Sequence, residues 1–151
     1  MKANTRIFGE IDIEDDKIIR FVNGLVGFPD MVDFALIHDE KKGPGGIAWL
    51  QSMQETQFAM PVIDPLLIKA TYNPKVEDEL LKPLGEFGED DMLVLVTVTI
   101  PSDIKNMSAN LKGPIVINTS TRKACQVIAE GEDCEVKFPI YEILKARKAG
   151  A

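Results

Sequence analysis

Residues 92–128 read MLVLVTVTIPSDIKNMSANLKGPIVINTSTRKACQVI. The opening run, MLVLVTVTI, is apolar and β-branched and carries no charge, the pattern of a strand covered on both faces. Pleat alternation puts Val94, Val96, Val98 and Ile100 on one face and Leu93, Leu95, Thr97 and Thr99 on the other. Pro101 cannot donate to a ladder and ends the run. Residues 115–118 and 124–128 form a hairpin across a turn rich in Asn, Ser and Thr. Periodicity makes this stretch the central sheet of a β protein and leaves its task open.

Outward from it, the N-terminal side is a series of short strands separated by turn residues. Ile7, Ile11 and Ile13 alternate with Glu10, Asp12 and Glu14, which predicts a half-buried strand over residues 7–13, with a bulge or bend at Gly9. Further strands are expected at 18–22, 34–38, 47–52 and 58–63, the last placed at an edge or bulge by Pro61. Gly24 and Gly27 in GLVGF mark a sharp turn, and Pro29 opens a short helical turn through Asp33. DEKKGPGG at 39–46 is an exposed loop, and 66–71 is read as extended. Asn73 and Pro74 start a helix with Val76, Leu80, Leu81 and Leu84 on one face, and Pro83 and Gly85 stop it. An acidic loop at 86–91 leads into the central strand. A last strand is expected at 134–138. Pro139 then opens a tail with Ile140, Ile143 and Leu144 on one side, and Lys145, Arg147 and Lys148 near the end. The expectation is an all-β, β-dominated domain, closed or nearly closed to hide its edges, with one or two short helices.

A chain of 151 residues, 45% hydrophobic and 27% charged, is expected to be a single domain over 1–151 that folds without disulfide or metal. Residues 1–10 lack the apolar core of a signal peptide, and no apolar run approaches the ~20 residues of a membrane helix, so a cytoplasmic location and no membrane partner are expected. Cys125 and Cys134 are expected as free thiols, and with His38 the sole histidine no zinc-type site is expected. A net charge of −7 argues against direct nucleic-acid binding and permits a basic protein partner. Catalysis lacks a constellation. The acidic pairs sit in turn-like clusters, His38 would have to serve every triad, and GLVGF lacks the Lys and Ser/Thr of a phosphate loop. Trp49 reads as core or groove wall ahead of a ligand platform. No enzyme activity and no cofactor are expected.

Four strings add what periodicity does not. GLVGF at 24–28, LQS at 50–52, NLKGPIVIN at 110–118 and QVI at 126–128 resemble the FliW flagellar assembly factor family in order and spacing, from about Ile7 to Val136. Val26 stands where the family usually has proline, and Ala124 and Cys125 replace the glycine expected before Gln126. The resemblance implies an antiparallel pseudo-barrel of two half-barrel meanders. It also implies a non-enzymatic regulator that binds flagellin and, when flagellin is exported, captures CsrA, a small basic dimeric repressor of flagellin mRNA translation. The alternative class is a small-molecule-binding or enzymatic β-barrel. Candidate partner contacts are the motif members Gln51, Asn110, Leu111 and Gln126, the acidic residues Glu89, Asp90 and Asp91, and Ile143 and Leu144 of the tail. For Gln51 and Gln126 the competing reading is a buried amide that satisfies backbone groups.

Overall fold

The computed structural model describes residues 1–25, 27–38, 46–88, 90–131 and 134–149. Its strands are β1 (Lys2–Thr5), β2 (Gly9–Asp12), β3 (Ile19–Phe21), β4 (Asp33–Ile37), β5 (Ile47–Ser52), β6 (Ala59–Ile63), β7 (Met92–Thr99), β8 (Ser108–Ala109), β9 (Ile115–Asn118), β10 (Lys123–Gln126) and β11 (Phe138–Pro139). The helices are α1 (Asp78–Leu81) and α2 (Tyr141–Ala149), with single 3-10 turns between strands.

Strands β3, β4, β5 and β6 form one antiparallel meander; β7, β9 and β10 follow, and β10 returns to β3, which closes a barrel. The mostly β, closed architecture expected from the sequence is the one found. One pairing departs from the expected antiparallel pattern: β10 runs parallel to β3, through Lys123↔Arg20 and Ala124↔Phe21. An odd ring of strands that alternate in direction must contain one parallel pair, so closure itself forces the exception. The two halves meet at short seams. β6 and β7 pair at Val62↔Thr97 and Ile63↔Val96, and β10 meets β3 at the two pairs above.

The central strand is covered on both faces. Leu95 points into the barrel, packed with Phe21, Phe34, Leu50, Ile115 and Ile117. Val96 and Val98 point outward into a second cluster with Ile63, Met107, Leu111, Ile140 and Leu144. Val94 joins a third, with Leu84, Val116, Cys125 and Val127. The barrel interior is therefore a packed core of side chains, as small barrels require.

Several expectations are corrected. The N-terminal strand is a two-stranded hairpin, β1 against β2, separate from the barrel, and residues 6–8 turn between them. Phe8 of that turn meets the Trp49 ring edge-on at 6.3 Å, so Trp49 packs as a wall. No helical turn follows Pro29: Leu25 and Phe28 exchange backbone bonds of 3.2 and 2.8 Å, and β4 begins at Asp33. The segment after Ile63 is a 3-10 turn, Pro65–Leu67, in which the Asp64 carboxylate accepts from Leu66 N at 2.9 Å. Residues 73 and 74 do not start a helix, because Lys75 is paired with Glu130 across the surface; α1 begins at Asp78 and passes into a 3-10 turn at Lys82–Leu84. The polar connection after Pro101 contains β8, and the strand expected at 134–138 shortens to β11. The loop at 39–45 lies outside the described residues.

Candidate partner-binding surface

The residues singled out from the sequence fall into separate places. Asn110 and Gln126 lock the turn that feeds β9. The Asn110 Oδ1 accepts from Lys112 N at 3.0 Å and Gly113 N at 3.2 Å, and Gln126 Nε2 donates to Gly113 O at 3.0 Å. Leu111, between them, is wholly buried; its N–H donates to Glu135 O at 2.8 Å and its carbonyl accepts from Tyr72 Oη at 2.6 Å. Gln51 belongs to a different turn. It is wholly buried, and its Nε2 donates to Ser52 O, Thr56 O and Phe58 O at 2.9, 3.2 and 3.0 Å. The side-chain amide adds a second bond to Thr56 O and Phe58 O, which already accept from Arg6 N and Ser52 N, and so ties the β5–β6 turn together from inside.

Asp91 ties the loop before β7 to the β9–β10 turn. Its carboxylate accepts from Gly88 N at 2.8 Å and its carbonyl accepts from Thr119 N at 2.8 Å. Asp90 is exposed, and Glu89 lies outside the described residues, as do Glu132 and Asp133. Leu144 is buried and Ile143 half-buried against the second cluster, so the apolar side of α2 faces the protein itself. His38 is exposed at the end of β4.

What the sequence did not indicate is a groove beside the first half of β7. β6 leaves the sheet at Asp64 and Pro65, so its pairing with β7 stops at Ile63↔Val96. Pro65 cannot donate to a ladder, and the chain turns there into the 3-10 turn instead of continuing along β7. The gap is a cavity of about 240 Å³ lined by Asp64, Pro65, Leu66, Tyr72, Pro74, Met92, Leu93 and Val94. A second cavity, about 280 Å³, lies over the outer face of Val94 and Val116 beneath Pro74, Val76 and Leu81, and shares Pro74, Met92 and Val94 with the first. A third hollow, reaching Asp78, Lys82 and Glu86, also opens on Met92. Met92 is 48% exposed and Leu66 55%, so the groove shows apolar side chains to solvent. Its rim is acidic: Asp64, Asp78 and Glu86 line it, Glu77 and Asp90 stand exposed beside it, and Lys82 is paired with Glu79 at 2.7 Å. An apolar trough with a charged rim is the form of a protein–protein contact. Among the described residues no group of His, Cys, Asp and Glu is placed to hold a metal ion, and no helix is long and apolar enough to cross a membrane. Pro65 directly after a strand was the one local signal, but nothing in sequence joins it to Met92.

The family model of the FliW protein matches residues 2–140. The chain belongs to the FliW family. It is 45% identical over 147 residues to the flagellar assembly factor FliW of Lachnospira eligens, an alignment that covers 96% of this chain and 97% of the relative. With the flagellar assembly factor FliW of Lachnoclostridium phytofermentans it shares 43% over 148 residues, covering 97% and 95%. A crystal structure of the flagellar assembly factor FliW superposes with a TM-score of 0.84 at 30% identity, over 93% of this chain and 96% of that one. The FliW resemblance read from the four strings is thus the family found, and a flagellar assembly role comes with it. The strings mark how the FliW fold is tied: 110–118 and Gln126 hold one turn, LQS another, and GLVGF a third.

Tyr72 joins the groove to the 110–113 turn through its bond to Leu111 O. Burial, and then the neighbouring Cys134, push its phenol up to about 12. Because the folded value lies above the ordinary one of about 10, the protonated phenol adds stability below about pH 10 that disappears as pH rises through 12. Tyr72→Phe is expected to cost about 1 kcal/mol at pH 8 by urea titration. The gap between the two proteins should close as the pH approaches 12; a gap that is constant with pH would separate the phenol proton from stability.

Proposed function

We propose that this chain is a cytoplasmic, non-enzymatic partner-switching regulator. It binds flagellin, and when flagellin is exported it captures CsrA and relieves the block on flagellin mRNA translation. The observation that carries this reading is the apolar groove at Met92 with its acidic rim, on a chain of a family whose relatives are named flagellar assembly factors. The packed barrel interior leaves no lumen for a small-molecule carrier, and the lack of a catalytic constellation in the sequence argues against an enzymatic barrel.

Charge and apolar surface divide the work between partners. A basic partner such as CsrA is steered by Asp64, Asp78, Glu86 and Asp90, and steering is screened by salt. Flagellin, whose termini are amphipathic helices, depends on burial of apolar surface around Leu66 and Met92. Raising salt from about 0.05 to about 0.5 M should slow CsrA association about tenfold or more, and flagellin association less than about threefold. Glu86→Lys with Asp90→Lys should reproduce the CsrA effect at low salt; Asp91 is left intact because it ties two loops together. Association rates by stopped flow supply the measurement, and equal salt slopes for the two partners would refute the division.

A further inference from the structure

The groove has a backbone component that the partner-binding reading does not use. Asn110 N donates to Thr97 O at 2.9 Å, so the peptide groups of Thr97 face the β8 and β9 side of β7. In a strand the N–H and C=O of one residue point the same way and alternate from residue to residue. Leu93 and Leu95 therefore face β9, whereas Met92 and Val94 face the side that β6 has left. Two consecutive backbone sites on that edge stand opposite a 3-10 turn that begins with proline.

The geometry points to strand addition at this edge: an extended segment of a partner, with alternating apolar residues and flanking Lys or Arg, pairs with Met92 and Val94. The proposal deepens the partner-binding reading and rests on it. Side chains of an added strand alternate between faces. One set would enter the cavity beside Leu93, Pro65 and Tyr72, and the other the cavity over Val94 beneath Pro74, Val76 and Leu81. Main-chain bonds then give affinity and the two cavities give selectivity, as in other cases of strand addition. The charge at the edge chooses the occupant. Native edges are guarded by proline and by charge, and here the guard is Pro65 with Asp64 on one side of the mouth and Asp78 and Glu86 on the other, where the lining Lys82 is already paired with Glu79. A basic segment is admitted; an acidic one, or a second copy of this acidic chain, is repelled.

The test is residue-resolved amide exchange on the isotope-labelled full chain, with the peptide KVKVTVK and its acidic counterpart EVEVTVE as probes. With the basic peptide in excess, exchange at Met92 and Val94 should slow about tenfold or more while Leu93 and Leu95 stay unchanged, and the acidic peptide should have no effect. Leu66→Lys, at an exposed position, should weaken the basic peptide about tenfold with the melting temperature unchanged. Protection without alternation, or none at Met92 and Val94, overturns strand addition. If flagellin and CsrA nevertheless bind in calorimetry, the regulatory reading survives and only this mode of docking falls. Alternating protection by the peptide with neither protein bound has the opposite meaning.

Discussion

Ile115→Asp is expected to prevent folding. Ile115 is wholly buried in the barrel interior with Phe21, Phe34, Leu50 and Leu95, and it is held on both sides, paired with Leu95 of β7 and Gln126 of β10. A carboxylate there has no cation to meet and no solvent to reach. Burying it unpaired costs several kcal/mol, comparable to the ~5–15 kcal/mol by which a domain is stable at all. The variant should lose its near-ultraviolet circular dichroism and its cooperative melt. Val136→Asp, at a residue 54% exposed, should melt within about 2 °C of the wild type. A native melt for Ile115→Asp would mean that this face of β9 is not interior.

Gly24→Ala is expected to be the most damaging single methyl addition in the GLVGF turn. Gly24 has φ +68°, which already costs an L-residue about 1–2 kcal/mol. An added Cβ would also sit 2.4 Å from Pro29 O and 2.6 Å from Pro29 C, and these are backbone atoms that cannot swing aside. Together the two effects should lower the melting temperature by roughly 10 °C. Gly27→Ala is the control. Its φ is +88° but no atom lies within 4 Å of the new Cβ, so only the conformational cost of about 1–2 kcal/mol remains and the loss should be about 2–8 °C, smaller than for Gly24→Ala. Equal losses would mean that the close approach to Pro29 contributes nothing, and the turn is conformational alone.

Local pattern carried most of the strands. β5 was legible to the residue because an apolar run lies between Gly46 and a polar turn, and the β9–β10 hairpin because its turn residues announce it. Elements decided by distant partners were not legible. KANT carries no large apolar residue to mark its inward positions, Ala3 and Thr5, so β1 shows only in its pairing with β2. Asn73 and Pro74 look like a helix start until Glu130, far along the chain, takes Lys75. The parallel β3–β10 pair follows from ring closure, which no window of sequence contains. The site was the least legible part. Gln51 and Leu111 stand out in the sequence strings because the fold depends on them, and they are buried for the same reason. The groove arises where β6 departs from β7, between Leu66 and Met92, whose proximity only the closed barrel creates.

The central proposal is a switch between two partners, and reconstituted translation tests it most directly. Flagellin mRNA translated with purified components should be repressed by CsrA, restored when this protein is added in equal amount to CsrA, and repressed again when flagellin is added in excess. Met92→Lys with Leu66→Lys, both at exposed positions, should leave repression in place at every step by closing the groove to its partners. Translation that stays repressed with the wild-type protein, or restored translation that flagellin does not reverse, would contradict the account.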